Sequence, residues 1–150
     1  MSRRARLAVL LFAGVIALVA GCVSRVAPHD EEIARGLAGL QSSCGQFLDE
    51  LHRTAGTPEA AWECHTAWYE NTREELGALR VRAASYGTKN DATVDSLDLL
   101  RESVERLEII HAGGVTAGEV AVLHTMLDAQ LDMLIRFEAA KRPAGPEVTP

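Results

Sequence analysis

Four stretches of this chain space their apolar residues by alternating fours and threes, and each is bounded by glycine, proline or a capping residue. A stripe that recurs every 3.5 residues or so is buried only when helices pack side by side. The first stripe is Ile33, Leu37, Leu40, Cys44, Phe47 and Leu51; Asp30 stands as its N-cap, and Glu31 and Glu32 complement the helix dipole. A second stripe of Trp62, His65, Tyr69, Thr72, Leu76, Leu79, Ala83 and Tyr86 follows the cap-and-proline pair Thr57-Pro58 and stops at Gly87. Leu97, Leu100, Val104, Leu107 and His111 make a third, ended by Gly113-Gly114. The fourth, with Val120, His124, Leu127, Leu131 and Leu134, opens on the capping-box pattern Thr116-Ala117-Gly118-Glu119 and closes at Lys141-Arg142-Pro143. No Asn-Gly hairpin turn occurs, and no stretch of the body sustains period-two alternation. The predicted fold is all-α: an antiparallel four-helix bundle over residues 30–142 with up-down-up-down connectivity, since all three connections are short. Residues 143–150 read as a disordered, proline-containing tail.

The chain ahead of the bundle has a different logic. Arg3, Arg4 and Arg6 precede an unbroken apolar run from Leu7 to Ala20, the charged, apolar, small-residue order of a secretory signal. As a helix that run extends about 21 Å, short of the roughly 30 Å needed to span a bilayer core. Its end, Val19-Ala20-Gly21-Cys22, resembles the lipobox of bacterial lipoproteins. The resemblance covers residues 1–22 alone; no family is recognised for the body. It implies cleavage between Gly21 and Cys22, diacylglycerol on the Cys22 thiol and acylation, such as palmitate, of the new amino terminus. Residues 22–29 then form a lipidated tether. Val23 in place of aspartate resembles the sorting signal for the outer membrane, facing the periplasm.

Processing also changes the charge and cysteine arithmetic. Loss of residues 1–21 takes three arginines and moves the formal charge from −6 to −9. So acidic a body argues against a nucleic-acid partner. Cys44 and Cys64 remain as an even pair in an oxidising compartment, a candidate disulfide across the first hairpin.

Residues 48–66 and 107–125 share a pattern, in which an acid and a histidine near one helix end precede a threonine cap and a His-Thr in the next helix. This suggests a duplicated hairpin, and it gathers His52, His65, His111 and His124 at the end of the bundle away from the anchor. With Glu108, one Glu-x-x-His spacing before His111, they form a candidate transition-metal site. Satisfied structural histidines are the alternative, because imidazoles near helix C-termini favour the dipole and pair with acids. Ala61-Trp62-Glu63-Cys64-His65 resembles a haem-attachment site, but one cysteine short, which argues against covalent haem. No nucleophile-base spacing or phosphate-binding loop is present, so the expected role is non-enzymatic: an anchored bundle, with no required cofactor, that contacts another envelope protein or the cell wall. A metal-binding or metal-sensing role at the histidine end is the second expectation.

Overall fold

The computed structural model describes residues 26–143. They form four long α-helices with no strand among the described residues: α1 (Glu31–Thr54), α2 (Thr66–Ala84), α3 (Asp91–Ala112) and α4 (Ala117–Ala140). α1 packs most extensively on α4 and α2 on α3, while α1–α2 and α3–α4 close the square, as up-down-up-down connectivity requires. The entry pole holds the start of α1, the α2–α3 connection and the end of α4; the far pole holds the other two connections. No helix among the described residues is long and apolar enough to cross a membrane.

The heptad stripes supply the core. Ile33, Leu37, Leu40, Leu51, Leu76, Leu97, Val104, Leu107, Leu131 and Leu134 are all closed off from solvent. Each such side chain contributes about 1.5–3 kcal/mol on burial. Leu48, one residue after Phe47, is also fully buried and widens the α1 stripe toward a neighbouring helix. Two predicted caps form as read. The Asp30 carboxylate accepts from the amides of Glu32 (2.9 Å) and Ile33 (3.1 Å), and Thr116 and Glu119 make a complete reciprocal capping box.

The predicted second helix begins later than its periodicity suggests. Pro58–Ala60 and Trp62–Cys64 are separate 3₁₀ turns, and α2 starts only at Thr66. Ala61 between them is extended (φ −67°, ψ 135°), which interrupts any continuous winding. Thr57 does not cap a helix, because its hydroxyl donates to the Thr54 carbonyl instead (2.7 Å). The second far-pole connection, from Gly113 to the Thr116 cap, is a simple short link. The two hairpins predicted to be duplicates therefore turn by different means. The residues that separate α2 from α3, Gly87–Asn90, form a further 3₁₀ turn.

The segment read as a tether is partly built into the bundle. Ala27 is buried and donates its amide to the Lys89 carbonyl (2.9 Å), and the His29 ring donates from Nδ1 to the Glu138 carbonyl (2.9 Å). The packed body thus begins at Ala27 rather than at residue 30. The predicted signal, Gly21, Cys22 and the end of the tail lie outside the described residues.

Candidate functional site

At the far pole the first connection folds over the end of α3. Ala60 lies at the close of the first 3₁₀ turn, and its carbonyl accepts from His111 Nε2 (2.8 Å). Because a carbonyl only accepts, His111 Nδ1 is left as the acceptor, and it takes the hydroxyl of Tyr69 at 2.8 Å. This arrangement suits a neutral imidazole. Burial lowers the His111 pKa below its ordinary value, and the neighbouring His65 acts in the same direction, against the Ala60 carbonyl and Glu63. Tyr69, fully enclosed, has its pKa raised by burial first and by Glu108 second, which keeps its proton available to His111. Phe47 stacks on Trp68 at 3.8 Å and meets His65 and Tyr69 edge-on, each at 5.5 Å, so aromatic rings fill the space between these groups.

The four histidines predicted to converge divide into separate contacts. His65 and His111 adjoin, with ring centroids 5.5 Å apart, but His65 Nε2 donates to the Glu59 carbonyl (3.0 Å). His52 Nδ1 donates to the carbonyl of Ala117 (3.0 Å), tying the end of α1 to the start of α4. His124 is not buried on the seam; it lies beside α1 with Nδ1 3.5 Å from Asp49. Glu108 is held by the Arg73 guanidinium and by Trp62 Nε1 (3.4 Å). No group of three or more His, Cys, Asp or Glu side chains that could hold a metal occurs among the described residues. Short side chains on antiparallel helices share a pole without sharing a point, and these imidazoles are committed mostly to carbonyls that the turns leave open.

The cysteines also stand apart, and the candidate Cys44–Cys64 bridge is not formed. Cys44 is buried on the α1 stripe, where burial, helped by Glu75, pushes its pKa up to about 12; Cys64 sits in the second 3₁₀ turn and is exposed. The late start of α2 places Cys64 in the connection rather than on a helical face opposite Cys44.

The entry pole carries the larger polar assembly. Asp30, besides capping α1, accepts two bonds from Arg82 Nε (2.7 and 2.9 Å) and one from the Tyr86 hydroxyl (2.6 Å). Burial acts to raise its pKa, but Tyr86, Arg82 and the two capped amides together bring it down to about 2. Glu138, fully buried, receives the Asp30 amide (3.0 Å) and pairs with Lys141 (2.6 Å). The same ammonium donates to Asn90 Oδ1 (2.6 Å) and Thr93 Oγ1 (2.8 Å), so all three of its hydrogens are used. Sequence reading treated Asp30 as a cap alone and missed the rest. A signal was present: Thr93 and Glu138 continue the spacing of their helices' apolar stripes, at four before Leu97 and four after Leu134.

An apolar line along α4 is also left exposed. On α4, Val122, Met126, Met133 and Phe137 are exposed, with Ala129 between them and Ala140 one turn beyond. Their spacing of four, three, four, four and three closes after eighteen residues, five full turns, so they lie in one straight line about 27 Å long. At the far pole the line runs into an open concavity of about 580 Å³ lined by Ile110, Thr116, Val122 and Leu123. Beside its middle, Gln130 carries the one enclosed side-chain oxygen without a hydrogen-bond partner among the described residues. No family model matches this chain, nor does any curated protein or solved structure.

Proposed function

We propose that the chain is a lipoprotein of the bacterial cell envelope, anchored through lipid on Cys22 to the periplasmic face of the outer membrane. Its helical bundle makes a non-enzymatic contact with another envelope component. The anchor rests on the lipobox resemblance of residues 19–22. The contact rests chiefly on one observation, the line of exposed apolar side chains along α4. A narrow stripe in register with the helix suits a second helix or a strand laid alongside.

In-cell photocrosslinking tests this reading. A photoreactive residue at Met126 should capture a defined envelope partner; one at the exposed Val81 of α2 should not. Capture should fall when Met133→Asp is added and disappear in a Cys22→Ala chain that is no longer held at the membrane. Equal capture from both positions, or unchanged capture by the Cys22→Ala chain, sinks the proposal.

A further inference from the structure

The apolar line on α4 ends at the entry pole in a second concavity, of about 700 Å³, formed by Val26, Pro28, Phe137, Ala140, Lys141 and Pro143. Three of its walls come from different parts of the chain: the incoming tether, the last turns of α4 and the residue that bars α4 from continuing. The tether is pinned there by the Ala27 amide on Lys89 and by His29 on Glu138. Only four residues separate Cys22 from the docked Ala27. Fully extended, the five steps from Cys22 to Ala27 reach about 17 Å. We infer that this entry-pole concavity is a lipid-facing dock, seated on the headgroup and upper acyl region of the bilayer in which Cys22 is anchored. The inference rests on the proposed lipidation of Cys22.

Three observations carry it. First, geometry leaves the pole nowhere else to go: a body whose first packed residue is at most about 17 Å from its acyl anchor touches the interface, and interfacial helices sink about 5–10 Å into it. Second, the surface presented there is apolar: exposed Val26 and Phe137 line the concavity together with Pro28, Ala140 and Pro143. Third, the charges suit it. Both lysines of the chain, Lys89 and Lys141, lie at this pole, as does Arg142. The acids there are nearly offset: Arg82 pairs with both Asp30 and Glu32, Arg142 with Glu31 and Lys141 with Glu138, while Lys89 and Asp91 are exposed beside them, so this end keeps an excess of only one acid. Most of the excess negative charge of the mature body is therefore carried elsewhere, and anionic headgroups repel this end only weakly.

The test uses the full lipidated chain, purified from cells and reconstituted into vesicles of phosphatidylethanolamine and phosphatidylglycerol in equal parts. In a Cys64→Ser background, single variants Phe137→Cys, Ala140→Cys, Met126→Cys and Ile109→Cys carry a fluorophore, and nitroxide-labelled lipids quench it. Cys44 is buried and stays unlabelled. Quenching at 137 and 140 severalfold above that at 126 and 109 is the expected result. Quenching at 126 equal to that at 137 overturns the dock in favour of a bundle lying on its flank. Absence of quenching at 137 and 140, with the diacylglyceryl mass present on Cys22, also overturns it and leaves the anchoring reading intact. A mature mass without added lipid overturns the anchoring reading and the dock with it.

Discussion

Replacement of Asp30 separates its duties as cap, ion-pair partner and acid-sensitive group. The carboxylate receives two α1 amides, the Arg82 guanidinium and the Tyr86 hydroxyl, and its side chain is 2% exposed. Asp30→Ala removes an N-cap, which costs about 1 kcal/mol. It also strands a cation and a hydroxyl, a loss that reaches about 3–5 kcal/mol when every partner is sealed from water. Here the Arg82 side chain is 43% exposed and regains water, so the whole substitution should cost about 2–3 kcal/mol. Asp30→Asn keeps an oxygen for the cap and should cost about 1–2 kcal/mol.

The pH dependence isolates the charge. The folded-state pKa, about 2, lies below the ordinary 3.8, so the stabilisation is present above 3.8 and is lost as pH falls toward 2. The linkage ceiling is about 2.4 kcal/mol, and solvent access at the pole trims it to about 1–2 kcal/mol. Urea unfolding followed by far-ultraviolet circular dichroism at successive pH values reads both effects. The gap between the native chain and Asp30→Asn should close as pH falls through that window. A gap that stays constant down to pH 2, or an Asp30→Ala cost below about 0.5 kcal/mol, refutes the assignment of this carboxylate as the organising charge.

Two glycines on helix faces should respond in opposite senses. A Cβ at Gly36 meets Leu79 Cδ2 at 2.6 Å, so Gly36→Ala should overpack the α1–α2 contact and cost about 1–3 kcal/mol, with Leu79→Ala reducing the added penalty; thermal melts of the single and double variants check this. Nothing lies within 4 Å of a Cβ at Gly77, in the middle of α2, so Gly77→Ala should stabilise by about 0.5–1 kcal/mol. His111, buried neutral, should titrate below 6.5 by nuclear magnetic resonance. Because the unfolded imidazole takes up a proton more readily than the folded one, stability should fall as pH drops below about 6.5. Tyr69→Phe, which removes the hydroxyl that His111 accepts, should cost about 1–2 kcal/mol in the same unfolding assay.

The helical class, the number of helices and most of the core were legible in the chain because burial selects period: a residue such as Leu97 or Leu131 appears wherever a helix turns inward, and nothing nonlocal is needed to see it. Caps were legible for a related reason. Thr116 and Glu119 are three residues apart and satisfy each other within one turn. The far-pole histidines were legible only as to pole. Whether His65 and His124 face a common point depends on how the first connection winds, and its extended Ala61 and the late start of α2 go with a contact to α3 that is remote in sequence.

By itself, then, the sequence determined a four-helix body behind a lipobox-like segment, through hydrophobic period, capping chemistry and the order of charged, apolar and small residues. The tertiary structure decided what the polar and surplus apolar residues do. It drew Asp30, Arg82, Tyr86, Glu138 and Lys141 into one network at the entry pole, since buried charge requires partners that only packing brings within reach. It sent the histidines to separate carbonyls and acids and kept the two thiols apart. It also left Val122, Met126, Met133 and Phe137 in the open, because α1 and α3 already enclose the opposite side of α4. A helix has one face for its own core, and the tertiary arrangement decides which apolar line remains outside.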